Sequence, residues 1–160
     1  MATQKYIGVP DGVVLCMDTM GVYPKGRFYT SYKREPIHFQ GSLDLLKKME
    51  SFYDWLNYPF PGTNERSFIT KKGSRPAARR IMKERERIMK DEELLDMHGD
   101  LGTFIIRVQH RQNASWQGRI TWVEKDKTLS FRSVWEMMKM IEGAMEDFKT
   151  EEEENMPEWE

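Results

Sequence analysis

The stretch Gln117-Gly-Arg-Ile-Thr-Trp-Val-Glu-Lys-Asp-Lys-Thr-Leu-Ser-Phe131, running on to Ser133-Val134-Trp135, decides the fold, because the chain carries a version of it earlier. The earlier version is Lys25-Gly-Arg-Phe-Tyr-Thr-Ser-Tyr-Lys-Arg-Glu-Pro-Ile-His-Phe39, running on to Gly41-Ser42-Leu43. Lys25–Leu56 falls on Gln117–Phe148 without a gap, 92 residues later. Gly26/Gly118, Arg27/Arg119, Lys33/Lys125, Phe39/Phe131, Lys47/Lys139 and Glu50/Glu142 are identical. Apolar residues coincide at Ile37/Leu129, Leu43/Trp135, Leu45/Met137, Leu46/Met138, Met49/Ile141, Tyr53/Met145 and Leu56/Phe148. A repeat of this length sets the architecture.

Each copy reads as three strands and a helix. In the second, Phe104, Ile106 and Val108 alternate with Ile105, Arg107 and Gln109, the period of a half-buried strand. Gln112-Asn113-Ala114-Ser115 is a turn, Ile120 and Trp122 mark the next strand, and Glu124-Lys125-Asp126-Lys127 is a polar hairpin turn before Leu129 and Phe131. Ser133 followed by Glu136 predicts a capping box. Val134, Met137, Met138, Ile141, Met145 and Phe148 then recur at helical spacing. In the first copy the strands fall near 13–18, 26–32 and 36–40. Ser42 is the expected N-cap, Leu43, Leu46, Met49, Tyr53 and Leu56 line the helix, and Pro59 and Pro61 end it.

The expected fold class is α+β: two tandem strand-strand-strand-helix repeats, their antiparallel sheets carrying the helices on one side and leaving the other side at least partly open. The repeats occupy residues 1–60 and 101–149. A basic connector, 61–100, joins them, with a helix entered at Pro76, a stripe of Ile81, Met82, Ile88, Met89 and Leu95, and a C-terminal cap at His98-Gly99. Residues 150–160 form an acidic tail expected to be disordered. The net charge of −1 conceals this polarity: residues 66–90 carry ten Lys/Arg against two Glu, and residues 146–160 carry eight acids against Lys149.

Composition limits the function classes. The one cysteine, Cys16, lies in the run Val13-Val14-Leu15-Cys16-Met17 and reads as a core thiol. With no disulfide framework, no leader-like apolar segment and no stretch near 18 apolar residues, the expected setting is cytoplasmic, with no membrane partner. The chain has no phosphate-binding glycine loop, no nucleophile elbow and no zinc-protease motif. His38, His98 and His110 lack partners at metal-ligand spacing. The expectation is a non-catalytic protein that uses no cofactor.

What remains is a basic, amide-bearing sheet face. With Phe28, Ile120 and Trp122 pointing inward, strand parity turns Arg27, Tyr29 and Lys33 outward in the first copy, and Arg107, Gln109, Arg111, Gln117 and Arg119 in the second. Arg and Gln make paired hydrogen bonds to base edges and phosphates. The expected partner is nucleic acid, with a protein partner on the same face, on the Met-rich helices or on the 76–97 connector as the alternative. Three strands then a helix, with Ser115-Trp116-Gln117-Gly118-Arg119 at the second strand, resembles the arm-binding domains of phage integrases and the plant ethylene-response DNA-binding domains. That resemblance implies a sheet laid in the major groove. This chain departs from those domains in its near-neutral net charge and acidic tail. The stretch Arg111-Gln112-Asn113-Ala114-Ser115-Trp116-Gln117-Gly118, with Phe131-Arg132-Ser133, also resembles a box in a family of small bacterial proteins. No function comes with that likeness.

Overall fold

The computed structural model describes residues 12–61, 68 and 86–146. The protein is α+β, with one six-stranded antiparallel sheet and three α-helices. The strands are β1 (Val13–Thr19), β2 (Lys25–Thr30), β3 (Lys33–Gln40), β4 (Gly102–His110), β5 (Gln117–Trp122) and β6 (Lys127–Phe131). The helices are α1 (Ser42–Leu56), α2 (Asp91–Leu95) and α3 (Val134–Ala144). Across the sheet the order is β3-β2-β1-β4-β5-β6, so the N-terminal and C-terminal hairpins meet at an antiparallel β1–β4 seam, Val13 opposite Ile106 and Leu15 opposite Phe104.

The seam explains the unbroken apolar run of β1. A central strand covered on both faces has no polar side to show, so Val13 through Met17 are all buried. On one face Val13, Leu15, Met17, Phe28, Phe39, Phe104, Ile106, Ile120 and Phe131 meet Leu45, Met49, Phe52, Tyr53 and Leu56 of α1 and Met137 and Ile141 of α3. On the other, Val14, Cys16, Tyr29 and Ile105 are covered by Met89 and Leu94.

That second cover corrects the expectation of helices on one side only. α2 and the residues before it lie on the opposite face from α1 and α3 because Val14, Cys16 and Ile105 must be removed from water there too. The segment is pinned by the backbone N–H groups of Ile88 and Met89, which both donate to the Ser31 carbonyl at 2.7 and 2.9 Å. Arg27 donates to the His98 carbonyl at 3.0 Å. Among the described residues of the connector only Asp91–Leu95 is helical, its C-cap is Asp96 rather than His98-Gly99, and Pro76, Ile81 and Met82 lie outside the described residues, as does the acidic tail.

The hairpins break register in matching places. β1 skips between Met17 and Thr19 against Gly26 and Lys25; β4 skips between Val108 and His110 against Gly118 and Gln117. At each, one extra residue (Asp18, Gln109) forms a bulge. The glycines opposite are forced by close approach: a Cβ on Gly26 would stand 2.1 Å from the Cys16 carbonyl oxygen, and one on Gly118 would stand 2.0 Å from that of Arg107. The turn at 112–115 closes with Ser115 N–H donating to the Gln112 carbonyl at 3.0 Å and with Asn113 and Ala114 at φ of 56° and 53°.

Helix entry differs between the halves. Ser133 caps α3, accepting from the Glu136 N–H at 3.1 Å, while the Glu136 carboxylate accepts from the Arg132 N–H at 3.3 Å. α1 is instead capped by Gly41, without a side-chain bond, and Asp44 reaches back to the Gln40 N–H at 3.0 Å. The buried line of α1 runs through Leu45, Phe52 and Tyr53 and leaves Leu43 exposed, against expectation. Leu129, on the edge strand β6, is exposed too. Among the described residues no helix is long and apolar enough to cross a membrane.

Candidate functional site

β4 and β5 bring two of the expected side chains together. Arg107 is directly opposite Arg119, so both project from the same face, and Ser130 of β6 follows across the sheet. Directly opposed residues have Cβ atoms about 4.5–5.5 Å apart, and like charges so placed are unfavourable. Among the described residues neither guanidinium has an ion pair, and Nε of Arg107 is buried without a hydrogen-bond partner. Gln109, the bulged residue, is exposed at the end of this lane. Beside it Thr121 and Thr128 share a hydroxyl–hydroxyl bond of 2.8 Å. Strand parity places Thr121 on this face with Arg119; Thr128 is the residue that sequence alone leaves out, and its position opposite Thr121 is the signal that points to it.

The other expected site residues are placed elsewhere. Arg111 is not part of an exposed cluster: it is 3% exposed and lies on the helix side. Simple alternation would put residues 107, 109 and 111 on one face, but the bulge adds a residue and reverses parity beyond it. There Arg111 Nε donates to the Pro59 carbonyl at 2.6 Å, and Nη1 pairs with Asp54 at 2.7 Å and Glu50 at 3.1 Å. Its guanidinium also lies 5.8 Å from the centre of the Tyr53 ring. Glu50 in turn accepts from Trp116 Nε1 at 2.7 Å.

Gln117 is engaged within the turn. Its amide closes the turn, accepting from Gln112 N–H at 3.0 Å and donating to the Gln112 and Arg132 carbonyls at 3.1 and 3.3 Å. Tyr29 is 8% exposed, under Met89 and Leu94. Arg27 is held by Asp18 at 2.7 Å and by the Tyr29 hydroxyl at 3.1 Å; these bonds raise its already high pKa, the Tyr29 bond most. Lys33 is exposed, but it stands at the first residue of β3, beside a cleft along α1 rather than beside Arg107.

The segment from Arg111 to Gly118 therefore acts as a clamp. Arg111 and Trp116 grip α1, Gln117 sets the turn, Ser115 Oγ accepts from the Val134 N–H at 2.9 Å, and Gly118 lets β4 approach. Burial pushes the Cys16 thiol up to about 11, which keeps it protonated and unreactive at neutral pH. No protein-family model matches this sequence, and comparison with curated proteins and with solved structures gave no match.

Proposed function

We propose that this protein is a non-catalytic nucleic-acid-binding protein of the cytoplasm, contacting the phosphate backbone through the open part of the sheet around Arg107 and Arg119. The observation that carries this reading is the direct opposition of two arginines that lack a carboxylate among the described residues. Such a pair costs stability in the free protein and is relieved by an anion. Thr121, Thr128, Ser130 and Gln109 surround the pair with short or amide-bearing groups over which a backbone can pass. The footprint is smaller than sequence parity suggests, since Arg27, Arg111, Tyr29 and Gln117 are engaged within the fold.

We also read the two halves as copies of one unit. The support is register: Gly26 opposite Phe39 corresponds to Gly118 opposite Phe131, and the bulges at Asp18 and Gln109 fall at equivalent positions. In that reading the second copy kept its face open while the connector covered the first.

The test is salt-dependent binding of the full chain to duplex DNA and to single-stranded RNA, followed by fluorescence anisotropy. Each phosphate contact contributes about 0.9 to the slope of log affinity against log salt on duplex DNA. Replacing Arg107 and Arg119 with Gln should weaken binding and flatten that slope by about 1.8. An unchanged slope, or no binding at low salt, overturns the reading. A protein partner is the second reading, favoured by Leu129 on β6 and Trp135 in the first turn of α3, which are 58% and 70% exposed.

A further inference from the structure

We propose that the cleft between α1 and the β2–β3 turn is a subsite for a nucleobase with its phosphate, the base stacking on Trp55 and the phosphate meeting Lys33. The cleft encloses about 500 Å³, within the range of small-ligand sites. Tyr32, Phe52 and Trp55 form one wall. The Trp55 ring lies 5.6 Å from that of Tyr32 at 67° and 6.3 Å from that of Phe52 at 25°. Trp55 thus has neighbours that fix its plane, yet it stays 46% exposed, which is high for so large an aromatic side chain on a well-packed helix. Its neighbour Phe52 belongs to the core.

Charge selects the ligand. An aromatic corner alone could receive a cation. Among the described residues two ammonium groups line the cleft and no carboxylate does, which disfavours a cation. Lys48 is held by the His38 carbonyl at 2.8 Å and by Asp44 at 3.0 Å, which offsets much of its charge. Lys33 has no ion pair among the described residues and is the group left for an anion. Ser51 adds a hydroxyl at the rim. A flat ring beside an anionic group and hydroxyls describes a nucleotide, either free or within a single strand. Single-strand sites combine the same parts: an aromatic platform and a nearby cation.

The cleft lies on the helix side of the sheet, opposite Arg107 and Arg119, so this inference stands apart from the phosphate-backbone reading. The test titrates the full chain with adenosine 5′-monophosphate, adenosine, inorganic phosphate and a short single-stranded oligo-dA, by calorimetry. The monophosphate should bind more tightly than adenosine. Trp55→Ala should weaken it at least about tenfold, the usual contribution of one stacked base. Lys33→Ala should bring the monophosphate down to the affinity of adenosine and leave adenosine itself unchanged. Oligo-dA binding more tightly than the monophosphate, and losing that advantage in Trp55→Ala, identifies the single strand as the source; equal binding identifies the free nucleotide. Lys33 is exposed, so its variant still decides the matter should Trp55→Ala fold poorly. No binding of the monophosphate at millimolar concentration, or binding indifferent to Lys33→Ala, overturns the proposal.

Discussion

Arg111 is buried while its two acidic partners are not: its side chain is 3% exposed, those of Glu50 and Asp54 45% and 62%. This asymmetry predicts that removing the acids harms the protein more than removing the base. Glu50→Gln with Asp54→Asn keeps acceptors for Arg111 and Trp116 and deletes only the charges. The guanidinium is then left buried and uncompensated, a situation that costs about 3–5 kcal/mol. Asp54 lies in the last turn of α1, where its charge opposes the helix dipole, so its loss returns about 0.3–1 kcal/mol. The net expectation is about 2–5 kcal/mol. Either single change leaves one carboxylate in place, so the pair should cost more than the sum of the two. Arg111→Met behaves differently. The freed carboxylates rehydrate, the methionine fills the space of the stem, and the chief loss is the donor to the Pro59 carbonyl, about 1–2 kcal/mol. Urea unfolding followed by far-ultraviolet circular dichroism and tryptophan emission measures all four variants, with Trp116 reporting directly on Glu50. Arg111→Met costing more than the double acid variant, or additive single acid effects, would refute the reasoning.

Gly118→Ala should lower stability by about 1–3 kcal/mol or more, because the obstacle at 2.0 Å is the Arg107 backbone carbonyl and only separation of β4 from β5 relieves it. Gly143→Ala, in α3 with nothing within 4 Å, should raise stability by about 0.5–1 kcal/mol, and calorimetric melting compares the two. Cys16 should resist a thiol reagent in the native protein at pH 8 and react on unfolding. Its folded pKa of about 11 lies above the ordinary value of 9.0, so its contribution is complete below pH 9 and disappears between pH 9 and 11 as the unfolded thiol ionises. Across that window Cys16→Ala should lose less stability with pH than the parent.

Periodicity made much of the architecture legible. Gly26 and Gly118, Phe39 and Phe131, and the Ser133–Glu136 cap all take the positions their spacing suggests. The connector was harder. Basic residues dominate it, and the residues buried among its described part, Met89 and Leu94, coincide with the apolar stripe at Met89 alone. Its partner signal was in β1, where five consecutive buried apolar residues leave no side for water. Strand parity fails for Arg111, beyond Gln109, because alternation carries no mark of a bulge and everything beyond it changes face. Trp55 falls outside the line through Met49, Tyr53 and Leu56, and an aromatic out of phase with its helix is the signal for a wall facing something other than the core.

The seam also sets the order in which the protein can be made. β2 and β3 follow β1 within a few residues, but the strand that completes the other side of β1 begins only at Gly102. At a synthesis rate of roughly 5–20 residues per second, the nascent first half waits on the order of ten seconds for β4 to emerge. During that interval Val13 to Met17 form an apolar edge with unpaired N–H and C=O groups. Translation pauses between codons 60 and 100 would lengthen the exposure, and a truncated chain would make it permanent. Recoding that segment for speed should raise the soluble yield, an effect that reflects how distant in sequence the two central strands are.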